Sequence, residues 1–126
     1  MIKLQEKDTL QETFDFVVGK LREQGKPAMD DNGTQCVYGK PGAERCAIGH
    51  LMPVGSNYRQ NIAVLMKENL VERSDNVEFL SDIQLCHDRS AGLLSWKSDC
   101  ARALVDIARF YGLNPDSAEK WLAQEA

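Results

Sequence analysis

Between Thr9 and Gly25 the chain spells out a complete amphipathic helix. Leu10, Phe14, Val17, Val18 and Leu21 recur at helical spacing and fall on one face. Thr9 and Glu12 form a capping box, in which hydroxyl and carboxylate each satisfy a free backbone donor at the helix start. Gly25, followed by Lys26-Pro27, supplies the stop. A helix with one apolar stripe must bury that stripe, and the cheapest cover is another helix. The rest of the chain follows the same grammar.

Ser56 or Asn57 can cap a second helix whose apolar face is Tyr58, Ile62, Leu65, Met66 and Leu70. Residues 73–76 interrupt it, and a third helix is expected over about 77–89, with Phe79, Leu80, Ile83, Cys86 and His87 on one side. After Ser90-Ala91-Gly92 a fourth runs over about 95–111, carrying Ala101, Leu104, Val105, Ala108 and Tyr111, and Gly112 ends it. Asn114-Pro115 reads as an N-cap with proline at the first helical position, so a short fifth helix holds Ala118, Trp121 and Leu122. Between the first two helices, 36–38 and 45–48 are expected as short strands about a Lys40-Pro41-Gly42 turn. That hairpin would set Cys36 opposite Cys46, with side chains about 5 Å apart. The expectation is one domain over residues 1–126: mainly α, about five helices with one small β-hairpin, a single compact α+β-type domain.

Composition narrows the function classes. A net charge of −4 and a pI near 5.1 argue against a general phosphate-backbone binder, which needs a basic face. The longest purely apolar run is Ile62 to Met66, far short of the roughly 20 residues that span a bilayer. The polar start MIKLQEKDTL has no signal core, so the expected setting is the cytoplasm, with no membrane partner. There the four cysteines are expected as thiols, used for packing, metal binding or reactivity.

The densest chemistry lies in the eighteen residues CVYGKPGAERCAIGHLMP, Cys36 to Pro53. Thiolate and imidazole are the usual donors to tetrahedral zinc. Cys46 and His50, four apart, share a face if that stretch turns helical; Cys36 could approach across the hairpin, and His87 or Cys86 could complete the set. The candidate metal set is therefore Cys36, Cys46, His50 and His87, and zinc is the one cofactor to consider. Against it, nine residues separate Cys36 from Cys46, where a zinc knuckle has two to four. The alternative is that the cysteines are small core residues and His50 a hydrogen-bonded partner. A thiol nucleophile in Cys86-His87-Asp88 is a further option, but neighbours on a helix point about 100° apart, so adjacency alone should not build a relay. Gly39, Gly42 and Gly49 lack the spacing of a phosphate loop.

Residues 103–122 resemble a helix-turn-helix: Ile107-Ala108, Gly112-Leu113, Ala118 and Trp121 keep its register. The would-be recognition helix offers Asn114, Asp116, Ser117, Glu119 and Lys120, with two acids facing what would be phosphates. The competing description is a tight αα-corner packing Trp121 onto Leu104 and Ala108.

Cys36-x-Tyr38, Pro41, Cys46-Ala47-Ile48-Gly49 and Leu51-Met52-Pro53 resemble a pattern in small, poorly characterised proteins of phages and prophages, C-x-Y-x(7)-C-A-x-G-x-L. Phe14, Val17, Leu21, Gln24-Gly25-Lys26 and the segment 85–88 extend the likeness to about two-thirds of the chain. Gly39-Lys40 and Ala43 depart from the pattern inside the turn. The resemblance carries no activity to transfer. It implies a phage-type accessory protein at work inside a bacterial cell; with no catalytic constellation, such a small chain is expected to be a non-enzymatic binder that modulates a host protein, such as a defence or nucleic-acid-processing factor. The acidic balance suits a partner with a basic surface. The contact groups least needed by a core are Tyr38, Lys40, Arg45 and Trp96.

Overall fold

The computed structural model describes residues 1–28, 45–53, 61–90 and 95–125. Five helices carry the fold: α1 (Leu10–Gln24), α2 (Ile62–Lys67), α3 (Val77–Ser90), α4 (Trp96–Phe110) and α5 (Asp116–Gln124), with a 3-10 turn at Ile48–Leu51 between α1 and α2. α3, α4 and α5 pack in chain order, α1 lies against α4, α5 and the 3-10 turn, and α2 lies against α3. Phe14, Leu21, Leu80, Ile83, Leu104 and Trp121 meet at the centre with no more than trace exposure. None of the described helices is long and apolar enough to cross a membrane.

The ends of α1 fall where the sequence puts them, although the Glu12 carboxylate takes the Thr9 hydroxyl rather than a backbone N–H. Thr9 Oγ1 accepts the Glu12 amide at 3.1 Å and donates to the Glu12 carboxylate at 3.0 Å. Gly25 takes the left-handed region, φ +70°, and returns its N–H to Leu21 O at 2.9 Å. A side chain there would be strained, which is why glycine ends this helix.

α2 is shorter than its apolar spacing suggests. Asn61 caps it, accepting the Val64 amide at 2.9 Å, and the expected caps Ser56 and Asn57 lie outside the described residues. Asn69 ends it at φ +60°, and the Leu70 amide closes back on Leu65 O at 2.9 Å. Leu70 therefore lies beyond the helix. The chain then turns out to pair with the N-terminus: Ile2 N–H reaches Leu70 O at 3.0 Å and Glu72 N–H reaches Ile2 O at 2.6 Å, an isolated parallel bridge. Glu6 ties the next bend, accepting from Ser74 Oγ at 2.8 Å and Asn76 Nδ2 at 2.9 Å just before α3.

Among the described residues the expected β-hairpin is not seen. Residues 36–44 lie outside the described residues, and Arg45 to Ala47 run straight into the 3-10 turn with no strand. The reason is visible in burial: Cys46, Ala47 and Ile48 are consecutively buried, whereas a half-buried strand alternates. The Arg45 backbone bonds Gln24, the Ile48 amide bonds Gln84, and the Cys46 and Ala47 carbonyls take the His50 amide.

Candidate functional site

Two glutamines and two histidines organise the polar interior. On α3, Leu80, Ile83, Gln84 and His87 share the buried face. Gln84 Oε1 accepts the Ile48 amide at 2.9 Å, and its Nε2 donates to Asp88 Oδ1 at 2.7 Å. His87 is fully buried, and its Nε2 accepts the Ala28 amide at 2.9 Å. The ring proton therefore sits on Nδ1, which donates to Asp88 Oδ1 at 2.9 Å. Its backbone carbonyl takes the Trp96 indole N–H at 3.2 Å, and the two rings meet edge to face at 5.7 Å between centroids.

At the end of α1, Gln24 does the corresponding work. Its Oε1 accepts the Arg45 amide at 2.8 Å and faces His50 Nε2 at 3.0 Å, so that imidazole nitrogen carries the proton. Its Nε2 donates to Lys26 O at 2.7 Å and Arg45 O at 2.9 Å. Arg45 Nη1 adds a bond to Met52 O at 3.3 Å. Together Gln24, Gln84 and His87 hold residues 26–28 and 45–52, which flank residues 29–44, to the helical core. His50 is half-buried, and burial first, then the cations of Arg45 and Lys20, push its pKa down from 6.5 to about 4. It is neutral at pH 7.

Of the candidate metal set, Cys36 lies outside the described residues. Cys46 is buried at the entry to the 3-10 turn, with His50 one turn on; the His50 amide bonds Cys46 O at 3.2 Å. His87 has both ring nitrogens engaged, by the Ala28 amide and by Asp88. Among the described residues no group of three or more His, Cys, Asp or Glu side chains is placed to hold a metal.

The contact of His87 with Asp88 corrects an expectation. Neighbours on a helix do diverge, but Nδ1 lies on the backbone side of the ring, within reach of a short aspartate folding over the same turn. Cys86 does not extend the pair into a nucleophilic centre. Burial chiefly, and the carboxylate of Asp82, hold its thiol up at about 12, so it stays protonated. Cys100 is pushed higher still by burial. Cys86 and Cys100 are free, buried thiols, and Cys46 is buried as well.

Among the expected contact groups, Tyr38 and Lys40 lie outside the described residues, and Arg45 is half-buried beside His50. Trp96 is 5% exposed, wedged edge to face between His87 and Trp121, so it is a core residue rather than a surface one. At the helix-turn-helix look-alike, Gly112 adopts φ +69° and the Leu113 amide closes on Ala108 O at 2.7 Å. The corner packs Ala108, Ala118 and Trp121 fully inside. Its second helix is not open at its start: Gln11 exchanges two bonds with the Asn114 backbone, at 2.7 and 3.0 Å, and Ser117 donates to Asp15 at 2.7 Å. α1 thus engages the end a recognition helix would turn to bases.

Gln24 and Gln84 were not singled out as site residues from sequence. The signal was there for Gln84: an amide at a stripe position, between Leu80 and His87, on a face otherwise apolar. No family model, no curated protein and no solved structure matches the chain.

Proposed function

We propose that this is a non-enzymatic, phage-type accessory protein that binds and modulates a protein of a bacterial host, such as a defence or nucleic-acid-processing factor. What carries the reading is the use made of its chemistry-bearing side chains. His87 and His50 are committed to backbone and glutamine bonds, and Cys86 and Cys100 are protonated inside the core. Those bonds anchor the segments on either side of residues 29–44, the stretch that holds Tyr38 and Lys40. A rigid scaffold fixing the ends of a connecting segment is the common arrangement for recognition. Contact then falls to Tyr38, Lys40 and Arg45.

The test is affinity capture from bacterial lysate with the full chain as bait, followed by reconstitution with the purified candidate. The expected result is one protein recovered repeatedly that rebinds in isolation. Repeated capture with no specific protein would sink the proposal.

A further inference from the structure

We propose that the outer face of α4 carrying Ala103, Ile107 and Phe110 docks a cationic amphipathic segment of a partner protein, one that presents Lys or Arg beside an apolar side chain. This rests on the protein-binding function above and adds to it a second contact surface with a stated chemistry.

α4 has two apolar stripes. Leu104, Val105 and Ala108 turn inward, while Ala103, Ile107 and Phe110, spaced by four and then three, line up along the outside of the helix. Exposure rises along that line. Ala103 and Ile107 are half-buried, and Phe110 is 78% exposed. Phe110 is nonetheless held from within. Its ring meets Tyr111 edge to face at 5.2 Å, and Tyr111 meets the buried Phe79 of α3 in the same way at 5.1 Å. The Tyr111 hydroxyl donates to Asp82, also on α3. A ring supported from the core outward, with its outer side bare, can be covered by a partner at little cost in side-chain entropy.

Carboxylates border this face, and the ion pairs made and not made give its sign. Asp106 stands one turn before Phe110 on α4. Across from it on α3 is Asp82, fixed by Tyr111, with Glu78 one turn before Asp82. Glu78 and Asp106 are exposed, and none of these three carboxylates makes an ion pair among the described residues. The cations of the neighbouring elements are engaged elsewhere. Arg102 reaches Asp99 at 3.4 Å, and Arg109 turns to Glu119 of α5 at 3.1 Å. Lys7 stands over Phe16, and Arg73 lines a groove with Lys67 and Met66 on the α2 side. Arg89 is two turns beyond Asp82, at the far end of α3.

A basic amphipathic segment answers both features. Its Lys or Arg side chains can pair with Glu78, Asp82 and Asp106 while an apolar side chain covers Phe110, and a cation can also lie on the ring face. A nucleic acid would bring phosphates to those carboxylates and be repelled. A second copy related by a two-fold axis would set the same acids against one another, so self-pairing through this face is opposed as well.

The experiment uses the full chain with a fluorescein-labelled Lys-Leu copeptide of helical spacing, a labelled oligolysine of equal charge and a labelled oligothymidine, followed by anisotropy at low salt. Expected is copeptide binding weakened about tenfold or more by Phe110→Ser and, separately, by Glu78→Gln with Asp106→Asn. Oligolysine, which lacks the apolar side chain, should bind about tenfold more weakly than the copeptide. The exposed control pair Glu23→Gln with Glu68→Gln should change copeptide binding little. No copeptide binding, equal loss in the control pair, no loss in Phe110→Ser, oligolysine bound as tightly as the copeptide, or tighter binding of oligothymidine would each overturn the proposal. Self-association in sedimentation that Phe110→Ser abolishes would overturn it too. Circular dichroism verifies that the variants fold. A lysate partner that binds Phe110→Ser and the Glu78, Asp106 variant undiminished would refute this surface while leaving the accessory function standing; the expected copeptide losses without any lysate partner would do the reverse.

Discussion

Replacing Gln84 with leucine tests how the polar interior holds the segment after residue 44. The two side chains have similar volume, so packing on α3 is nearly kept. What is lost is the acceptor for the Ile48 amide, at 2.9 Å, and a donor to Asp88, at 2.7 Å. Ile48 has no exposure, so its N–H is left without water, at a cost of about 1–3 kcal/mol. Asp88 is partly exposed and regains water, adding little. The net loss is therefore about 2 kcal/mol. With roughly 2 cal/mol/K of unfolding entropy per residue over 126 residues, that lowers Tm by about 8 °C. Urea titration gives the free energy, and hydrogen exchange should show the Ile48 amide losing protection before those of the α4 core. If Gln84→Leu is within about 0.5 kcal/mol of the parent, or if Ile48 keeps its protection, the network does not hold the segment and the reasoning is wrong.

Four further outcomes follow. His50 is held neutral, with its pKa lowered from 6.5 to about 4, so the unfolded chain binds more protons between those values and stability falls as pH drops from about 6.5 to 4. Allowing for solvent at a half-buried ring, the loss is about 1–2 kcal/mol, and urea midpoints for His50→Gln should be flatter across that window; an equal slope in the variant would refute it. Gly25→Ala places a side chain at φ +70° and should cost about 1 kcal/mol in thermal melts, with no change pointing to a relaxed helix end. The Cys86 and Cys100 thiols, buried and protonated, should react with a disulfide reagent at pH 8 only as fast as the chain opens; a burst before unfolding would contradict their placement. Because His87 Nε2 is engaged by the Ala28 amide, chelator should leave the melting temperature unchanged, and a large fall would instead establish a metal-held fold.

The helices were legible because their signals are local. Thr9, Gly25, Gly112 and Asn114 act on backbone within a turn of themselves, and each does so here. The α4–α5 corner was legible for the same reason, since a glycine stop, a proline start and buried small residues describe it fully. Where the local signal was mixed, the outcome moved. The helical spacing runs on to Leu70, but Asn69 ends α2 before it. At 45–48, β-compatible residues became a turn, with glutamine side chains from two helices taking the backbone bonds of Arg45 and Ile48.

The candidate site was less legible because its members are far apart in the chain. Cysteines and histidines draw attention by type, but type did not reveal that His87 would bond a backbone amide 59 residues away. Trp96 was expected at the surface because it stands at a helix start. The crossing of α4 over α3 and α5 turned it inward.

By itself the sequence determined that this chain is helical, where most of its helices begin and end, and which stripes are buried. Those properties are set by backbone geometry and short-range burial, which depend on neighbours within about one turn. Only the tertiary structure decided that Gln24, Gln84 and His87 clamp the two segments flanking residues 29–44. Hydrogen bonds and charge fields act across space, so they take their partners from the packing of helices and not from the order of residues.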